Sequence, residues 1–557
     1  MCASQTLIER QAMAAPNRDI LKDSRIPATI RIGVTGHRKL TDSQAILVSD
    51  CMRQILDTLD KWLTENLHNS PHTFVVISPL AEGSDRIVAW EVLDWAKADP
   101  EYKPKLEVIL PFPEEEYKKD FTGRSSYEEF KILLGRARSV KILDTMRPAT
   151  EAYVPVGRYV VHASDVLIVV WNGQPPCGKG GTGDILEYAR NLGQSLFIIN
   201  IATGEITEEW NKDWVYDSLK YLDVFNGEHL NAKTFEEYVD RRFESLEKKS
   251  EKAGLPRERL LPMKEDLLPK YARASLLAKR YQAYYNWAGA LIYLFSALAV
   301  IAVAIQTLFI PGPPYYLIWV EFFIILCVLI LLWGLEHFKI HRNWIDYRFL
   351  AERLRIAIFL STAGIEFTPL KYPPYFTISQ QSDYWIVKAF GWTLNSRQKL
   401  SSDVPFEASK KFLLEAWVDD QLSFYSSKYE KNKHRMEVLD LTGYAMFIAT
   451  LIASFMHASE LEELLPEFLA NANYLTFIGI VFPTVGALLV GFQLHREYKR
   501  NAERYSQMIA PLFSISQQMR LAGDRETLGK LLERANDLML KENQDWRVSI
   551  LSQKIGV

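Results

Sequence analysis

Lys and Arg vanish from two long windows, Tyr281–Phe338 and Met436–His495, and are frequent elsewhere. Each window holds two apolar runs, at 287–309 and 316–335 and at 439–457 and 474–493. A helix needs about 20 mostly apolar residues to cross the hydrocarbon of a bilayer. All four runs are therefore read as transmembrane helices. The run at 439–457 is the weakest, because Asp440 and Thr442 stand near its start. A pair of buried core helices is the competing reading for each hairpin.

Flanking charge orients the spans. LAKRYQ and HFKIHR bracket the first pair, and KYEKNKHR and HREYKR the second. The intervening IPGPPY and HASELEELLPEFLANAN carry no Lys or Arg. Positive flanks stay on the cytoplasmic side, so both hairpins enter and leave from the cytoplasm. The expectation is a multi-pass inner-membrane protein with both termini cytoplasmic. Trp287, Tyr315, Tyr316, Trp319 and Tyr474 suit the interfacial belts. Glu321, inside the second span, is a pore candidate by the usual rule for intramembrane acids; the alternative is that it snorkels to the nearby interface. Gly479, Pro483, Gly486 and Gly491 make the fourth span easy to bend or pack closely.

The chain repeats itself after each hairpin. Tyr347-Arg348 aligns with Tyr498-Lys499, and Ala351-Glu352-Arg353 with Ala502-Glu503-Arg504, at one offset. The preferred reading is a duplicated unit of helix, span, outer loop, span and long cytoplasmic helix. The segment 367–432 separates the copies, turn-rich in TPLKYPPYF and helical in period beyond it. A further amphipathic helix closes the chain.

Before residue 267 the pattern changes. TIRIGVTG, TFVVISPL, KLEVILPF, VKILDT, DVLIVVW and QSLFIIN are strand candidates separated by segments of helical period. Near-continuous apolar strands alternating with helices indicate a parallel sheet covered on both faces. The fold class is thus an α/β Rossmann-like domain over 28–201, then an all-α membrane domain with four transmembrane helices and long cytoplasmic helices. Residues 1–27 form a tail with no signal-peptide core, and 202–266 a helical connector. The repeat units span 267–366 and 433–557. The net charge of −3 leaves no global basic field for nucleic acid. Cys2, Cys51, Cys177 and Cys327 form no CxxC pair, so neither a disulfide frame nor a metal site is expected.

Ligands of open α/β sheets bind outside the carboxyl ends of the strands. Three loops leave those ends. VTGHRKL offers Gly36 for close approach and His37 and Arg38 as cationic donors. In LAEGSDRIVA, Gly83, Ser84 and Asp85 open a helix, which is also ordinary capping chemistry. In GKGGTGDILEYA, Gly180, Gly181, Thr182 and Gly183 present amides at a helix start, where the dipole favours anions. Asp184 and Glu187 follow; either they cap the helix or one of them holds ribose hydroxyls beside the phosphate. Neither Walker-A nor GxGxxG spacing is present.

GVTGHR, AEGSD and SDVLIVVWNG…GGTGDILEYA resemble the SLOG superfamily, Rossmann-like domains related to cytokinin-activating LOG phosphoribohydrolases and to DprA proteins. Gly180, Gly181, Gly183 and Glu187 match the LOG loop, while Asp184 stands in place of its threonine and Lys179 in place of its proline. In LOG enzymes the glutamate and an upstream arginine carry N-glycosidic cleavage; Arg158 is the nearby arginine here, and its spacing to Asp165 departs from the enzyme pattern. WIDYRFLAERLR after the second span resembles the SLATT family, two-transmembrane domains that accompany SLOG sensors in bacterial conflict systems. The resemblance implies a noncovalent nucleotide ligand (ADP-ribose, a cyclic ADP-ribose-like molecule or another nucleotide) and an antiphage-defence context.

Three readings fit these residues. The first is a nucleotide-gated channel or pore-forming effector, a homo-oligomer in the lipid bilayer. The second is a membrane-tethered phosphoribohydrolase or nucleosidase using Glu187, with Arg38 or Arg158 on phosphate. The third is a membrane scaffold with a vestigial nucleotide site.

Overall fold

The computed structural model describes residues 20–95, 102–143, 149–174, 179–310, 312–313, 315–365, 384–396, 404–459 and 472–551. Cys2, Cys177, most of the N-terminal tail, TPLKYPPYF and the outer loop 460–471 lie outside the described residues. The chain divides into two units, 1–232 with 368–398, and 233–367 with 399–557.

The first unit is built on a seven-stranded sheet in the order β4-β3-β2-β1-β5-β6-β7. Its strands are β1 Ala28–Gly36, β2 His72–Ser78, β3 Lys105–Leu110, β4 Ser139–Ile142, β5 Val166–Trp171, β6 Ser195–Asn200 and β7 Ile206–Glu209. All pairings are parallel except β6 with the terminal β7. β1 and β5 are neighbours, with Ile32 opposite Val166 and Gly36 opposite Val170. Here the strand order reverses, and crossovers leave to opposite sides. The helices are α1 Asp42–Asn66, α2 Ser84–Leu93, α3 Arg124–Arg136, α4 Ala149–Ala163, α5 Thr182–Asn191 and α6 Lys212–Gly227. α1 starts on a capping box: the Gln44 amide donates to Thr41 Oγ1, and the Thr41 amide to Gln44 Oε1. β1, β2, β5 and β6 are apolar because both sheet faces are covered: Ile30, Ile32, Val76, Leu167, Ile168 and Phe197 are wholly buried.

The unit extends further than the sequence suggests, because β7 and α6 lie in the expected connector. The segment between the membrane repeats also returns to it, through the helix Tyr384–Ser396. There Lys388 Nζ lies 2.7 Å from Asp165 Oδ1, with both side chains buried, while Asp165 Oδ2 accepts the Arg31 amide at 2.9 Å. Arg138 donates to the carbonyls of Gly391 and Trp392 at 3.0 and 3.2 Å, and Trp385 packs on Phe225. Sequence periodicity carries no information on which body a short helix joins, because that depends on partners distant in the chain.

The second unit is helical: α7 Ala232–Ala253, α8 Leu267–Leu308, α9 Tyr316–His337, α10 Ile340–Thr362, α11 Phe406–Ala458, α12 Ala472–His495, α13 Tyr498–Leu521 and α14 Arg525–Leu551. α8, α9, α11 and the α12–α13 stretch each carry a window long and apolar enough to cross a membrane. α8 packs along α9 and α10, α11 along α12 and α13, and α8 also along α12. Small residues permit the last approach, as expected where lipid removes the hydrophobic drive between helices. A Cβ on Gly289 would stand 1.8 Å from His495 Nε2, and one on Gly491 would stand 2.8 Å from Tyr293. Gly486 faces Phe447 at 3.2 Å, whereas Gly479 meets nothing within 4 Å. Trp319, Phe322, Phe323, Leu451 and Phe455 remain exposed, as lipid-facing residues are. Gln306 is buried at the end of the first span and staples the hairpin: its Nε2 donates to the Ile310 carbonyl and its Oε1 accepts the Leu317 amide.

Each hairpin ends in the same elbow. Lys339 (φ 48°) and Glu497 (φ 51°) are left-handed between two helices. Before them, the amides of Phe338 and Arg496 reach Gly334 and Phe492. After them, Asn343 and Asn501 donate Nδ2 to the carbonyls of Phe338 and Arg496 at 3.4 and 3.3 Å. All these pairs share one spacing, in which Arg342-Asn343 matches Arg500-Asn501 and Tyr316 matches Tyr474. The Tyr347/Tyr498 alignment is displaced from this by one heptad. A seven-residue shift keeps the same helix face, so the amphipathic pattern alone does not separate the two registers.

Candidate functional site

β1 ends at Gly36, pressed against α2: a Cβ there would lie 2.6 Å from Ser84 Cβ. The amide and hydroxyl of Ser84 both donate to the His37 carbonyl, at 3.1 and 2.9 Å. Gly83 has φ +79°, and a side chain on it would strike the His37 and Arg38 carbonyls. Gly36, Gly83 and the buried Ser84 thus join two loops. His37 Nε2 accepts the Asn172 amide at 3.2 Å, which ties in the loop after β5.

These joints frame a cavity of about 460 Å³ at the carboxyl ends of β1, β2 and β5, lined by Gly36, His37, Arg38 and Asp85 and by the run from Lys179 to Gly183. It lies where the strand order reverses, the usual crevice of doubly wound sheets. The Arg38 guanidinium stacks 4.4 Å from the Tyr153 ring, and Tyr153 Oη donates to Asp120. Asp85 is buried, with Oδ2 accepting the Ala81 amide at 3.3 Å. Burial pushes its carboxyl up to about 7, against the pull of Arg38. Tyr117 lines the same cavity; its Oη is buried with no hydrogen-bond partner among the described residues. Burial, and then Asp85, raise that phenol well above its ordinary range.

α5 begins at Gly181, which supplies no side-chain cap, so its first amides have no intrahelical acceptor. Asp184 turns back and accepts the Gly180 amide at 2.8 Å. Gly180 needs its positive φ of 78°, with Val154 3.1 Å from where a Cβ would be. The reciprocal cap expected of Asp184 and Glu187 does not form, because the helix starts at Thr182, which puts Asp184 inside its first turn and Glu187 beyond it. Glu187 is exposed and off the cavity, as is Arg158, whose guanidinium lies 4.8 Å over the Tyr188 ring. Glu321 belongs to the other unit, half-buried in the second turn of α9.

The cavity therefore gathers Gly36, His37, Arg38, Asp85, Gly180, Gly181, Thr182 and Gly183, and leaves out Gly83, Ser84, Asp184, Glu187 and Arg158. Tyr117, Tyr153 and Trp171 were missed. Trp171 was legible as a bulky aromatic ending a buried strand. The two tyrosines come from segments with no local motif, and only the crossovers bring them in. A cation, free helix amides and a carboxyl poised near neutrality can together receive a phosphate and hydrogen-bond a polyol.

No curated protein matches the chain. Residues 414–546 match the family described as SMODS and SLOG-associating 2TM effector domain 1. The match begins at the π-helical turn Leu414–Val418 inside α11 and runs through α12, α13 and most of α14. The second hairpin with its elbow thus carries the signature of a two-transmembrane effector domain, and the chain is a membrane protein.

Proposed function

We propose that this chain is a nucleotide-sensing membrane effector. The α/β unit binds ADP-ribose, a cyclic ADP-ribose-like molecule or another NAD-derived nucleotide on the cytoplasmic side of the inner membrane. The bound and free states bias a homo-oligomeric four-span unit between closed and pore-forming arrangements, in a bacterial defence setting. The observation that carries the reading is Arg38, Asp85 and the uncapped start of α5 around one cavity at the strand-order reversal. A phosphate would sit on the α5 amides and Arg38, ribose hydroxyls on Asp85 and Tyr117, and a base against Trp171. Coupling requires the ligand to bind the two states with different affinity. The return of the Tyr384–Ser396 helix to the α/β unit supplies a second covalent link between sensor and spans.

The test is a thermal-shift and calorimetric screen of nucleotides on the full-length chain, then ion flux from liposomes with any hit. ADP-ribose or a related nucleotide should bind, and Arg38→Ala should weaken it at least tenfold. Binding without any change in flux would sink the gating reading. Release of free base from the nucleotide, unaffected by Glu187→Gln, would move the chemistry to Asp85 and make the chain an enzyme.

A further inference from the structure

The second unit has a cavity of its own, about 310 Å³, between the two repeats beside their elbows. Among the described residues, Arg348, Lys428, Lys431, Arg435 and Arg496 line it, against one lining carboxylate, Glu497. Glu497 is engaged with Arg500 at 3.3 Å. Among the described residues Lys428, Lys431, Arg435 and Arg496 form no ion pair with a carboxylate. Three of them meet aromatic side chains: Lys428 lies 5.6 Å over Phe424 and Arg435 5.8 Å over Tyr498, whose Oη accepts from Arg496 Nε at 3.3 Å. Arg348 is also faced by the carboxylates of Glu352 and Glu542, but the other four like charges around the concavity repel one another unless an anion sits among them. His341 and His495 add no charge near neutrality, because burial pushes both down to about 4.

The position is as informative as the charge. Arg435 stands one turn before the third span, and Arg496 just beyond the end of the fourth. The cavity is therefore level with the bilayer surface on the basic side of the spans, where basic pockets between helices meet anionic headgroups. Tyr285 and Trp344 form an aromatic wall, suited to an interfacial acyl-glycerol.

We propose that this cavity binds a phosphate group, carried by an anionic phospholipid headgroup or by a soluble phosphate ester, and so joins the two repeats at their elbows. Arg348 comes from the first repeat and Arg435 and Arg496 from the second, while Lys428 and Lys431 precede the second repeat on the same helix, α11. The bound anion would lock one arrangement of α10 against α11 and α13.

The delipidated full-length chain in detergent tests this with two probes, dioctanoyl-phosphatidylglycerol and glycerol 3-phosphate, read by thermal shift and native mass spectrometry. Binding of the lipid alone assigns a headgroup; equal binding of both assigns a soluble ester. In either case Lys428→Gln/Lys431→Gln/Arg435→Gln should weaken binding at least tenfold. A charge-matched triple, Lys61→Gln/Lys119→Gln/Lys530→Gln, should not, and neither should Arg38→Ala, which separates this site from the nucleotide cavity. All six lysine and arginine positions in the triples are exposed, so these variants should fold. Binding of neither probe, or equal losses in the two triples, would overturn the proposal.

Discussion

The α/β core and the four spans handle polar groups in opposite ways. The α/β unit buries a complete ion pair, Lys388 with Asp165, at 3% and 0% side-chain exposure. The spans place the neutral amide of Gln306 at one end and bring backbones together over Gly289, Gly486 and Gly491, while Asn343 and Asn501 bond the elbows that follow them. Surplus apolar burial in water can carry a desolvated pair. In lipid the apolar drive between helices is gone, so close packing and local hydrogen bonds do that work. The charged and the close-packed sites should therefore fail differently.

The largest expected effect is at the ion pair. Asp165→Ala leaves Lys388 buried without its partner and should cost about 3–5 kcal/mol of α/β stability, read by pulse proteolysis of the full chain across a urea series. Adding Lys388→Met should recover most of it. If the double variant is as weak as the single, the Arg31 amide contact matters more than the charge.

Gly289→Leu is the corresponding insult in the spans. It displaces the His495 ring and should cost about 1–3 kcal/mol by overpacking, lowering the detergent-resistant melting of the membrane unit while leaving α/β proteolysis unchanged. Equal losses in both units would break the contrast.

Asp85 separates the cavity from both. Its folded carboxyl titrates at about 7, above its ordinary 3.8, so the folded state binds more protons between those values. Its contribution to stability falls as pH rises from about 4 to 7 and is level above that. For the diphosphate of ADP-ribose, which does not itself titrate there, affinity should fall about tenfold from pH 6 to pH 8 as Asp85 gains charge. Isothermal titration with Asp85→Asn should give a flat profile; a preserved slope would assign the proton elsewhere.

The smallest effects compare the two elbows. Asn343→Ala and Asn501→Ala each remove one amide-to-carbonyl bond, worth about 0.5–1.5 kcal/mol. Equal shifts in the melting of the membrane unit would support structural equivalence of the repeats, and a large effect at one alone would deny it.

Local order accounts for what was readable in advance. The spans follow from length and missing charge, and the parallel sheet from apolar runs alternating with helical ones, because those signals lie within one element. The glycines of GKGGTG and Arg38 were legible as a strand-end constellation for the same reason. Asp184 and Glu187 were not separable: both follow the glycines, but the turn at Gly180 draws one inward and the helix carries the other to the surface.

Missing charge and hydrophobic period are enough to specify a membrane protein with an α/β unit ahead of two similar hairpins. It takes the folded chain to place Tyr117 and Tyr153 in one cavity with Asp85, to join the helix Tyr384–Ser396 to the α/β unit, and to align the repeats at their elbows. Each of these rests on residues far apart in the chain or on a backbone angle, and hydrophobic periodicity encodes neither.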